Sequence, residues 1–147
     1  MLVKQMLAFV LLSGLICWFM FAPIYKHVLI MRQAAMQQEV DYLLEIGANG
    51  SHGYIDAGMV ASSKQRLGAK GFDIDELEYL VGSDSGLPAD SPAAPLVRGT
   101  GLELSIRYPV GRLLLIDQLI GISGPGEASR LQVSGMKMSE YVPEQAA

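Results

Sequence analysis

The stretch KQMLAFVLLSGLICWFMFAPIYK, residues 4–26, decides how the rest of the chain is read. Two lysines bracket 21 uncharged residues, Gln5 to Tyr25, dense in Leu, Phe, Ile, Val, Met and Trp from Met6 to Phe21. As an α-helix rising ~1.5 Å per residue, this run is about 30 Å long, the thickness of a bilayer hydrocarbon core. Length and composition therefore predict a membrane anchor, with Trp18 and Tyr25 placed toward one interface. A cleavable secretory signal is the rival reading, but it needs small residues at its cleavage point, and the run closes Trp18-Phe19-Met20-Phe21. Cys17 follows bulky Ile16, a poor match to a lipoprotein box, and reads as a small apolar filler. Lys4 and the amino terminus flank one end and Lys26, His27 and Arg32 the other, so charge bias does not favour an N-in topology.

The side chains of this run point every way. Leu7, Phe9, Leu11, Leu12, Leu15, Phe19 and Phe21 cover all sides of a helix, and a helix apolar all round must be enclosed by lipid or by other helices. Gly14, with Ser13 beside it, permits close helix approach, and Pro23 is expected to bend the helix. No Gly or further Pro follows before Gly47, so the helix is predicted to run on as a rod of about 40 residues. Its second half carries Gln33, Gln37, Asp41 and Glu45 at four-residue spacing, while Ile24, Val28, Met31, Ala35, Tyr42 and Ile46 mark an apolar side. An anchor joined to a separate linker helix is the alternative.

The whole sequence has 147 residues, 50% hydrophobic and 18% charged, with a net charge of −4. An acidic balance argues against a nucleic-acid partner. One Cys forbids an internal disulfide, and two His leave little material for a zinc site.

Past the anchor the period changes. Gly47 to Gly53 reads as a turn, and Asp56 as the N-cap of a second helix ending near Ala69, with Lys70 in its last turn and Gly71 stopping it. Ile55, Met59, Ser63 and Leu67 trace the buried side, and Lys64, Arg66 and Lys70 form a basic patch read as a solvated face. Leu77, Tyr79 and Val81, then Leu102, Leu104, Ile106 and Tyr108, alternate with their neighbours as two half-buried strands. A third strand is expected over Leu131 to Val142. Its apolar phase changes from Leu131 and Val133 to Met136 and Met138, which predicts a bulge at Gly135 bringing all four to one core. Ser83 to Pro95 reads as a mobile hairpin insertion. Arg112 to Gly121, nearly all Leu and Ile, reads as a buried helical turn or as an apolar surface offered to a neighbour or to lipid. The expected class is α+β, with residues 1–47 as transmembrane and stalk helix and residues 48–147 as a water-facing domain of a second, shorter helix and a small antiparallel sheet of about three strands.

No catalytic constellation emerges. The two His lie beside the membrane segment and in a Gly-rich loop, no nucleophile-elbow sequence occurs anywhere, and the glycines at 47, 50 and 53 do not form a phosphate cradle. The carboxylates Asp73, Asp75, Glu76 and Glu78 lack the spacing of a calcium loop and read as the flank of a strand. The expectation is a protein with no cofactor, no metal, no small-molecule substrate and no enzymatic activity.

An apolar N-terminal helix with Pro23 near its end, an amphipathic continuation and a small antiparallel sheet resemble the type IV pilin plan. Helix Asp56 to Ala69, the strand ending Arg107-Tyr108-Pro109, the apolar connector and the closing Met138-Ser139-Glu140-Tyr141 are similar to TadE-like minor pilins of tight-adherence pilus systems. The resemblance implies a filament subunit on or through the bacterial envelope, whose partners are copies of itself or related pilin-like chains, and lipid before assembly. Its assembly residues would be Leu7, Phe9, Leu11, Leu12, Gly14, Leu15, Phe19, Phe21 and Pro23. Pilins carry a processing site and then a glutamate five residues into the helix. The sequence here begins Met1-Leu2-Val3-Lys4-Gln5, which fits either a leader already removed or an unprocessed relative. A membrane-tethered accessory or binding protein of an envelope complex and, third, a small membrane-anchored enzyme are the other classes the sequence leaves open.

Overall fold

A computed structural model describes residues 1–110 and 130–143, with the side chain of Tyr25 excepted. Helix α1 spans Leu2–Gly47 and helix α2 spans Ala57–Ala69. Strands β1 (Glu78–Ser83), β2 (Gly101–Pro109) and β3 (Arg130–Met138) form an antiparallel sheet in the order β1-β2-β3. The class is α+β, as read from the sequence. The chain divides into two compact units, Met1–Arg32 and Gln33–Ala147, with the boundary inside α1.

In the first unit α1 continues through Pro23 without interruption in its helical assignment. Pro23 has no N–H to give, so the carbonyl of Phe19 loses its usual helical donor. The apolar residues around it have no covering layer within the unit.

In the second unit, Gln33–Gly47 of α1 and helix α2 cover one face of the sheet. The buried stripe of this part of α1 is Met36, Val40, Leu43 and Leu44, with Gly47 one turn further on. These positions recur at three- and four-residue intervals and meet Leu102, Leu104, Ile106 and Val133 in one core. This corrects the stripe read from the sequence. Met31 and Tyr42 lie exposed, and Ala35 and Ile46 are only half-buried. Two apolar stripes run along the helix, about 120° apart at ~100° per residue, and the sheet takes the one that includes Leu43 and Leu44.

Helix α2 begins where expected. The Asp56 carboxylate accepts from the Met59 N–H at 2.8 Å. At the other end Gly71 adopts φ +88°, and the Phe72 N–H donates back to the Leu67 carbonyl at 3.2 Å. Ile55, Ser63 and Leu67 are buried and Met59 packs against the core.

Strand β2 alternates strictly, with Leu102, Leu104, Ile106 and Tyr108 buried and Glu103 exposed. Strand β3 differs from its expected form. It pairs residue for residue with β2, Leu104 opposite Gly135 and Glu103 opposite Met136, with no bulge. Leu131, Val133, Gly135 and Lys137 therefore share the inner face, while Met136 and Met138 are 55% and 51% exposed on the outer one. The glycine has a different purpose. A Cβ on Gly135 would lie 2.8 Å from Leu44 Cδ1 and 3.0 Å from Val40 Cγ1, so its missing side chain lets α1 lie against the strand. Lys137, next on that face, clears the helix and pairs with Glu45. The expected strand also ends earlier, at Met138, after which Ser139 donates to the Thr100 carbonyl and Glu140 to that of Ala48.

The Ser83–Pro95 insertion is tied down. Ile55 donates to the Ala89 carbonyl at 2.8 Å and Leu96 to that of Gly53 at 2.8 Å, and both Ala89 and Leu96 are buried. The apolar segment Arg112 to Gly121 lies outside the described residues.

Candidate functional site

All nine residues singled out for assembly lie on α1 within the first unit. The seven large ones, Leu7, Phe9, Leu11, Leu12, Leu15, Phe19 and Phe21, are 55 to 72% exposed. At ~100° per residue these seven leave one sector open between Phe9 and Phe21, and the exposed Met6, Val10 and Met20 fill it, so together they form a sleeve around the helix, with no single stripe. Ser13 returns its hydroxyl to the Val10 carbonyl at 2.9 Å, which removes one polar group from an otherwise apolar surface. A Cβ on Gly14 would meet nothing within 4 Å, leaving a shallow gap where a second helix can approach. Trp18 and Phe19 stack edge to face with centroids 5.5 Å apart. This stretch is long and apolar enough to cross a membrane, and its most apolar window has nothing buried against it. The interfacial placement expected for Tyr25 lies outside the described residues.

The second unit holds a polar cluster that sequence reasoning missed. Glu39 lies on the buried stripe of α1, its side chain 5% exposed, and a single carboxylate oxygen accepts from Arg66 Nε at 2.8 Å and from a terminal guanidinium nitrogen at 2.5 Å. The guanidinium also stands over the Tyr42 ring at 4.7 Å. Hydrogen bonding to Glu39 holds Arg66 above the ordinary arginine range, against the effect of partial burial. Beside it Ser63 and Tyr79 share a hydrogen bond of 2.7 Å, and Lys64 stands 5.9 Å from the Tyr79 ring. Burial pushes the Tyr79 hydroxyl above the usual tyrosine range, with the Ser63 bond pulling the other way. The basic patch expected on α2 is therefore divided: Arg66 turns to α1, and Lys70 serves as the helix C-cap. The available signal was Glu39 itself, an acid in phase with Met36, Val40 and Leu43.

The geometry of this cluster is that of an inter-helix fastening. Its carboxylate is occupied by the guanidinium and its hydroxyls by each other. The acidic group at 73 to 78 is also engaged locally, with Asp73 accepting from the Asp75 N–H and Glu78 pairing with Arg130. Among the described residues no group of three or more His, Cys, Asp or Glu is placed to hold a metal ion. His52, in the loop after α1, leaves Nδ1 buried without a hydrogen-bond partner while its ring lies edge-on to Tyr54, 5.5 Å between centroids.

Against known proteins, no family model, no curated protein and no solved structure matches the chain.

Proposed function

We propose that this chain is a non-enzymatic structural subunit of a bacterial surface pilus or pilus-like secretion apparatus, of the TadE-like kind, that assembles through the first part of α1. The observation that supports this reading is the sleeve of exposed apolar side chains from Leu7 to Phe21, which nothing in its own unit covers. In lipid that sleeve is satisfied by acyl chains, and in a filament by equivalent helices of neighbouring subunits. Both surroundings are apolar, so transfer between them gains little from the hydrophobic effect. Packing near Gly14 must supply the preference. Lys4 and Gln5 provide polar contacts to a neighbour's N-terminal region where pilins use a glutamate. The protein is then a single-pass membrane protein before assembly, with its second unit outside the cell.

The test is Gly14→Arg. Position 14 is open within the chain, so the substitution brings no internal clash. It places a charge at the centre of the sleeve, at a cost of about 2.5–3.5 kcal/mol in a bilayer-centre environment. The expected outcome is loss of filaments from sheared-cell material in the electron microscope, with the tyrosine circular dichroism of the second unit unchanged. Normal filaments from the variant, or a wild-type protein that stays monomeric in cells and in detergent, would move the reading to a membrane-tethered accessory protein.

A further inference from the structure

Asn49 is the single asparagine of the chain, and a glycine follows it. In such a pair the backbone nitrogen of the second residue can reach the side-chain amide carbon of the first, and glycine brings no side chain to obstruct the approach. Both residues stand exposed in the turn after α1. The hydrogen bonds of that turn leave the reacting atoms available. The Asn49 N–H donates to the Ile46 carbonyl at 3.3 Å and the Asn49 carbonyl accepts from the His52 N–H at 3.0 Å, while among the described residues nothing accepts from the Gly50 N–H. The Asn49 side-chain oxygen accepts from the Ser51 N–H at 3.2 Å. That donor faces the oxygen on which negative charge develops when the amide carbon is attacked. Asn49 also follows closely on the end of α1 at Gly47, where the carbonyls of the last turn disfavour negative charge. It lines a small cleft with Glu45, Ala48, Lys137 and Glu140, and Lys137 is already paired with Glu45.

We infer that Asn49 is a self-modification site of the folded protein. The Gly50 nitrogen bonds to Asn49 Cγ and gives its proton to solvent base. The bond from Cγ to the side-chain nitrogen breaks, and that nitrogen leaves as ammonia after taking a proton from water. The succinimide ring so formed adds one water and opens at either carbonyl, giving aspartate or, with the main chain rerouted through the side chain, isoaspartate. Either product places a carboxylate beside Glu45 and Glu140 at the negative end of α1. Isoaspartate also adds a carbon to the main chain inside a turn closed by the Gly53 N–H on the Gly47 carbonyl at 2.8 Å. The reaction is a slow, one-way loosening of the turn that joins α1 to the rest of the second unit. It is independent of whether the first part of α1 spans a membrane or builds filaments.

The full chain in detergent, held folded in warm, mildly alkaline buffer, is compared with the same chain unfolded in guanidinium chloride. Intact mass follows the change from amide to acid, a peptide map places it, and protein-isoaspartate methyltransferase with labelled S-adenosylmethionine reads the isoaspartate. The folded chain should convert at residue 49 on the timescale of the unfolded one, with isoaspartate among the products. Gly50→Ala should slow the conversion severalfold and keep the fold, because a Cβ at position 50 meets only the Glu140 carbonyl, at an ordinary 3.5 Å. Asn49→Asp, made directly, should unfold at a lower temperature than the wild type by tyrosine circular dichroism, with a smaller difference in high salt. A folded chain that stays intact while the unfolded one converts would overturn the site. Equal rates in the wild type and Gly50→Ala would overturn it too, by removing the Gly50 nitrogen from the reaction. An Asn49→Asp variant as stable as the wild type would overturn the loosening.

Discussion

The two parts of α1 solve the same problem in different ways. Up to Arg32 the helix carries large apolar side chains on all sides, and those from Leu7 to Phe21 are 47 to 72% exposed. From Gln33 to Gly47 the apolar groups are concentrated on Met36, Val40, Leu43 and Leu44, which the chain's own sheet buries almost completely. The difference is one of patterning. A stripe is satisfied by one packed layer, whereas a sleeve is satisfied only by an environment that surrounds it. One continuous helix thus serves as core element in one unit and, on the reading proposed above, as membrane and assembly element in the other.

The sharpest way to break that contrast is to truncate one leucine in each part. Leu43→Ala should destabilise the second unit by about 2–5 kcal/mol, because a buried side chain is removed and a cavity remains. Leu11→Ala should leave the same unfolding transition within about 0.5 kcal/mol. Urea titration in detergent, followed by tyrosine near-UV circular dichroism, reads the second unit separately from Trp18. Comparable losses from both variants would mean that the first part of α1 also contributes to the core.

Next in size is an asymmetry within the Glu39–Arg66 pair. Arg66→Ala strands a carboxylate whose side chain is 5% exposed, and the expected cost is about 2–4 kcal/mol. Glu39→Gln keeps an acceptor, and the guanidinium, 40% exposed, can turn to water; about 1 kcal/mol is expected. Equal costs in the same titration would show that burial of Glu39 is not what makes the pair matter.

The smallest effect concerns two glycines of the sheet. Gly135→Ala pushes a methyl group against Leu44 and Val40 and should cost about 1–3 kcal/mol. At Gly82 a Cβ meets nothing within 4 Å, so Gly82→Ala should be neutral or slightly stabilising. If both were neutral, the close approach of α1 to β3 would not constrain residue 135.

These contrasts also separate what local sequence determines from what packing decides. The apolar span, the Asp56 cap and Gly71 stop of α2, and the alternation of β2 were legible because each depends on neighbours within a few positions: uninterrupted apolarity, a carboxylate three residues from the amide it accepts from, a period of two. The orientation of Gln33–Gly47 was not legible. Two apolar stripes of similar strength lie on that helix, and only the placement of the sheet chooses between them. The outward turn of Met136 and Met138 was hidden for a related reason, since a phase change at a glycine suits a bulge as well as a helix resting on bare backbone. The Glu39–Arg66 pair joins positions 27 apart in sequence, beyond the reach of any local pattern. Sequence by itself determined where this protein is apolar, where its helix α2 starts and stops, and which residues of β2 turn inward. Tertiary structure decided which stripe of α1 is consumed by the core, why residue 135 carries no side chain, and which charge is buried, because those depend on what another segment places against them.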